Sequence, residues 1–70
     1  MNGSEIKDAL KFQSLTQVWL IGKLDERGIT VDKSELSSVL SGVRRGPKAE
    51  RIKAAAIEII EGYKRERRSA

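Results

Sequence analysis

Punctuation constrains this chain more than any other feature. Thr16, Gly28, Asp32, Gly42 and the pair Gly46-Pro47 cut it into short pieces. Thr and Asp suit the position before a helix, where the side-chain oxygen accepts a backbone N–H. Gly suits the position just after a helix, and Pro its first turn. Between these marks apolar residues recur at three- and four-residue spacing and never alternate over a strand-length window. The expectation is an all-α fold of four to five helices.

The spacing predicts each helix in turn. Ser4 caps a first helix over 5–13, with Ile6, Ala9 and Leu10 inward and Ser14 as the interruption. Thr16 caps a second over 17–27. Leu15 and Leu20 flank its start at the spacing of a hydrophobic staple, Leu20, Ile21 and Leu24 face inward, and Gly28 ends it. Asp32, with Glu35 at the capping-box offset, opens a third over about 33–41, with Leu36, Val39 and Leu40 inward and Gly42 as its stop. The serines at 34, 37, 38 and 41 give that helix weak intrinsic propensity, so packing must hold it. Pro47 opens a fourth helix that buries Ile52, Ala55, Ala56, Ile59 and Ile60 and reaches Gly62 or Tyr63. Residues 1–62 then form one domain. Residues 63–70 form a basic tail that either frays or continues the last helix.

Seventy residues make one small domain with a thin core. The chain has no Cys and no His. No disulfide or Cys-based zinc site can staple it, and the commonest general base is missing. Tight helix packing or oligomerisation must compensate. The start, Met-Asn-Gly-Ser-Glu-Ile-Lys-Asp, does not look like a signal peptide, and no apolar run approaches the roughly 18 residues of a membrane span. The remaining titratable groups form no catalytic pair, and 42–46 lacks the Lys-Ser/Thr of a phosphate loop. The expectation is a protein that is not an enzyme and uses no cofactor and no metal.

Charge is unevenly placed. The net charge is +4, yet residues 1–42 hold five basic and six acidic residues, while 43–70 hold nine basic and four acidic. Arg44, Arg45, Lys48, Arg51 and Lys53 form one group, and Lys64, Arg65, Arg67 and Arg68 another. Such runs are either a solvated face or a surface for phosphate.

Thr16-Gln17 at a helix start, then a short helix with small polar residues outside, then a basic loop, is the layout of a helix-turn-helix. A helix that enters a major groove about 12 Å wide needs a small or flexible polar face. The start of the preceding helix can point N–H groups at a phosphate.

Residues 15–60 resemble the lambda-repressor-like (Cro and Xre type) helix-turn-helix family of phage and bacterial transcriptional regulators. Leu15-Thr16-Gln17 with Leu20, Ile21 and Leu24 resembles that family's second helix. Residues 31–42 resemble its third, and Arg44-Arg45-Gly46-Pro47 its basic loop. The resemblance implies a compact lambda-repressor-like DNA-binding domain. By position it implies base contacts from Lys33, Ser34, Ser37 and Ser38. It implies phosphate contacts from Thr16, Gln17, Ser41, Arg44, Arg45 and Lys48, with Gln17 bracing a recognition side chain. Leu20, Leu24, Val31, Leu36 and Val39 would be core. Six residues, Asp25 to Thr30, separate Leu24 from Val31 where the family's turn is shorter. Either the second helix is a turn longer or the turn is an expanded loop with Ile29 plugged into the core. The family's fifth helix is absent or merged into the fourth.

Other residues have plainer expectations. Phe12 and Trp19 complete the core, an exposed Trp19 marking a partner contact instead. Tyr63 packs at a helix end or at an interface. Glu35 serves as the cap partner of Asp32 rather than as a cytosine acceptor. The function expected is that of a small phage- or mobile-element-type regulator, a repressor by resemblance, with 33–41 in the major groove of double-stranded DNA. One recognition helix reads few base pairs, so a homodimer on a pseudo-palindromic operator is expected, in the bacterial or phage-infected host cytoplasm and without a membrane. The alternative is a protein-interaction module, an antirepressor or adaptor, using the same surface.

Overall fold

A computed structural model describes the backbone of residues 3–69 and the side chains of residues 3–66. It is all-helical: α1 (Gly3–Phe12), α2 (Gln17–Glu26), α3 (Lys33–Leu40) and α4 (Pro47–Ser69). α4 packs on all three others, and α3 also packs on α1 and α2. The core takes Ile6 and Leu10 from α1 and Leu20 and Leu24 from α2. α3 adds Leu36, Val39 and Leu40, and α4 adds Ile52, Ala56, Ile59 and Ile60. Ile29 and Val31 join them from the connection between α2 and α3. α3 has only eight residues, but three of them are buried. Each such side chain contributes roughly 1.5–3 kcal/mol, against a few tenths lost per serine, so packing decides. Among the described residues no helix is long and apolar enough to cross a membrane.

The helix starts follow the predicted caps. The Thr16 hydroxyl oxygen accepts from Trp19 N–H at 3.1 Å, and Asp32 Oδ1 accepts from Glu35 N–H at 2.6 Å. Leu15 packs on the core and Leu20 is fully buried, as a staple requires. Val31 and Leu36 repeat that spacing at the start of α3, and both are buried.

One kind of stop ends α1, α2 and α3. The residue after each cap takes a left-handed conformation: Ser14 (φ 59), Gly28 (φ 80) and Gly42 (φ 83). Its N–H donates three residues back, to the carbonyls of Lys11, Asp25 and Val39 at 3.0, 2.9 and 3.2 Å. The next N–H, of Leu15, Ile29 and Val43, donates five back, to Leu10, Leu24 and Ser38 at 2.8, 2.9 and 3.0 Å. This is the Schellman pattern, and it satisfies carbonyls the helix leaves unpaired.

Several expectations are corrected. α1 begins at Gly3, so Ser4 lies inside the helix rather than capping it. A Cβ on Gly3 would collide with the Leu40 backbone, so the glycine lets α1 seat directly on the end of α3. Phe12 is not core: it points off the last turn of α1 and is 84% exposed. Ile21 and Trp19 are half-buried, packed on the edge of the core. Of the two alternatives for the tail, the continuing helix is the one formed, with α4 running through Ser69. Among the described residues there are four helices, and the connection over 27–32 is an expanded loop, not a longer α2.

Candidate nucleic-acid interface

The polar outer face of α3 and the basic connection that follows it are joined by one carboxylate. Glu35 sits at the third position of α3, where a capping box would turn its side chain back to the Asp32 N–H. It turns the other way. Its Oε2 lies 3.2 Å from an Arg44 guanidinium nitrogen and 3.2 Å from Lys48 Nζ. Only half of the predicted box therefore forms. The Glu35 side chain is just 15% exposed, while those of Arg44 and Lys48 stay 58% and 62% exposed. Such pairs add at most about 1 kcal/mol each. Their larger effect is positional: one acid holds two cations beside α3 and leaves a net positive group.

The backbone fixes the same connection from the other end. The Ser38 carbonyl accepts from both Val43 N–H and Arg44 N–H, and Arg45 Nε donates to the Gly42 carbonyl at 3.3 Å. Gly46 then leads into Pro47, and Arg51 lies on α4 one turn beyond Lys48. Among the described residues neither Lys33 nor Arg51 takes part in an ion pair.

The predicted site residues divide into two groups. Lys33 and Ser34 are exposed on the first turn of α3, and Ser37 and Ser38 are half-buried further along it. Arg44, Arg45 and Lys48 are exposed, the first and last gathered by Glu35. The other group is engaged by the fold. Ser41 Oγ donates to the carbonyls of Ser37 and Ser38 at 2.9 and 3.3 Å. The Thr16 hydroxyl is the α2 cap. Gln17 is half-buried, and its Oε1 is enclosed with no hydrogen-bond partner, so the expected brace to α3 is not made. The first turn of α2 carries no acid, and beyond the capped Trp19 N–H the Gln17 and Val18 N–H groups stay open to an anion.

Sequence reasoning missed Glu35 as the organiser. Its partners lie nine and thirteen residues away, across a loop, and no local period links them. It also missed Val43, which stands 80% exposed beside Arg44 and Arg45. Comparison of this chain with protein-family models, curated proteins and solved structures finds no match.

Proposed function

We propose that this chain is a non-catalytic, sequence-specific double-stranded DNA-binding protein of the small transcriptional-regulator kind, a repressor by resemblance. α2 and α3 act as a helix-turn-helix. Lys33, Ser34, Ser37 and Ser38 face base edges, while Arg44, Arg45, Lys48 and the start of α2 lie along phosphates. One observation carries this: Glu35 fastens two mostly exposed cations beside a helix whose outer face is small and polar. Phosphate contacts then set register and the α3 face meets the bases. Serine pairs with several base edges, so Lys33 is the strongest discriminator, directed at guanine.

The test is selection from a random duplex pool at two salt concentrations, with sequencing of the retained DNA. Enrichment of a motif, with affinity falling steeply from 50 to 200 mM salt, is expected. Arg44→Ala with Arg45→Ala should weaken binding to all sequences and lower the salt slope by about 0.9 per lost phosphate contact. Lys33→Ala should change which motif is enriched. Exposed Val43 favours one competing reading, an antirepressor or adaptor docking a protein on this face. Absence of duplex binding at low salt would turn the assignment to that reading.

A further inference from the structure

The ion pairs within α2 and within α4 each join one acid to one cation a turn away: Glu26 to Lys23, Glu50 to Lys53 and Glu61 to Lys64. Glu35 is different. A single oxygen, Oε2, stands 3.2 Å from an Arg44 guanidinium nitrogen and 3.2 Å from Lys48 Nζ. Those cations come from two other segments, the connection after α3 and the first turn of α4. A phosphate oxygen is held by Arg and Lys through the same kind of charged hydrogen bond. Glu35 is the most enclosed of the three side chains, and both cations stay more than half exposed. A phosphate arriving from solvent therefore meets two cations that already serve an anion.

We infer that Glu35 sets the ratio of specific to nonspecific DNA affinity, by competing with phosphate for Arg44 and Lys48. This role rests on the function proposed above and adds a specificity-determining residue to the same surface. Neighbouring cations supply the contrast. Among the described residues Lys33, Arg45 and Arg51 pair with no acid. Arg45 Nε donates only to a neutral acceptor, the Gly42 carbonyl. These three offer a phosphate their full charge, whereas Arg44 and Lys48 together offer two positive charges less one.

The carboxylate acts on the phosphate directly as well. With a cation between them the two anions stand roughly 6 Å apart, two charged hydrogen bonds in series, and repel.

The repulsion weighs differently on two kinds of DNA. On arbitrary sequence, phosphate contacts supply nearly all of the binding, so weakened cations weaken the whole. On the preferred sequence, Lys33 and the α3 serines add base contacts. Those contacts need the basic connection held beside α3, and Glu35 helps to hold it. The acid thus lowers affinity everywhere and offsets part of the loss only where bases are read.

Glu35→Gln tests this, because it keeps the size and an acceptor oxygen but removes the charge. Exposed pairs of this kind contribute little to stability, so its thermal melt should match that of the wild type. Anisotropy titrations then use a random-sequence duplex and a duplex of the enriched motif. Random-sequence affinity should rise roughly three- to tenfold. Its salt slope should steepen by up to about 0.9 for each cation released. Affinity for the motif should rise less, so the ratio of the two falls. A residue that only positioned its neighbours would show the opposite sign, with both duplexes bound more weakly. Unchanged or weaker random-sequence binding by Glu35→Gln overturns the inference.

A second comparison leaves Glu35 in place. Arg44→Gln should lower random-sequence affinity less than Arg45→Gln, since Arg44 is already shared with an acid. An equal or larger loss from Arg44→Gln overturns the inference too. The two readings fail differently. If neither the wild type nor Glu35→Gln binds any duplex at low salt, the proposed function falls and this role with it. If the wild type binds and its random-sequence affinity is indifferent to Glu35, this role falls alone.

Discussion

The connections on either side of α3 have one backbone and two fates. Both leave their helix by a left-handed glycine followed by an N–H that reaches five residues back. At the end of α2 the residues joined by that bond are Leu24 and Ile29, and both lie in the core. At the end of α3 they are Ser38 and Val43, and Val43 is 80% exposed where Ile29 is 8%. The helix starts differ in the same sense. Val31 and Leu36 staple the entry to α3, whereas Arg45 and Glu50 hold the equivalent places at α4 and both are exposed. Hydrogen bonds thus set the direction of each turn. The side chains at its two ends decide whether it closes on the core or stays at the surface with its cations free to meet a partner.

Replacing the apolar residue after each glycine should break the comparison most sharply. Ile29→Ala removes a buried side chain and should cost roughly 2–4 kcal/mol, a large share of the roughly 4–10 kcal/mol available to a domain this size. Val43→Ala should leave thermal stability within about 0.5 kcal/mol. Equal losses in thermal melts of the two variants would mean that Val43 is covered after all.

Gly28→Ala and Gly42→Ala should behave alike, because both glycines sit near φ +80° in open space. Each should lose about 1–2 kcal/mol in denaturant titration, from backbone strain alone. The stop after α1 tests the rule in reverse. Ser14 adopts the same conformation without being glycine, so Ser14→Gly should raise stability by about 0.5–1 kcal/mol, read as a higher urea midpoint at unchanged slope. The smallest effect belongs to Phe12→Ser, expected within about 0.5 kcal/mol of wild type by the same titration. A larger loss would return Phe12 to the core.

Much of the fold was legible because its signals are local. Thr16, Asp32, Gly28 and Gly42 mark their helix ends through bonds to residues three positions away, and Pro47 marks one through its fixed φ. Such bonds form whatever surrounds them. The inward faces of α2, α3 and α4 were readable for a similar reason, since apolar spacing alone defines a buried stripe. Ile29 was readable too, as the one apolar residue other than glycine between Leu24 and Val31.

The misses have different causes. Phe12 has the right character for a core, but it stands two residues beyond buried Leu10 and so lies on the outer face of the last turn of α1. Glu35 satisfies the sequence rule for a capping box, yet two cations brought in by the following loop compete for its carboxylate and hold it.

Composition and spacing by themselves therefore determined an all-α chain, the helix boundaries marked by Thr16, Gly28, Asp32, Gly42 and Pro47, its buried stripes and the separation of a slightly acidic first part from a basic second part. Each of these depends on contacts within one turn or on the period of a single helix. The tertiary structure alone decided which cations stand beside α3, which of two like turns is plugged into the core, and that Trp19 and Tyr63 meet in a groove. Those outcomes join residues from different helices, and only the packing of α2, α3 and α4 brings such residues within reach.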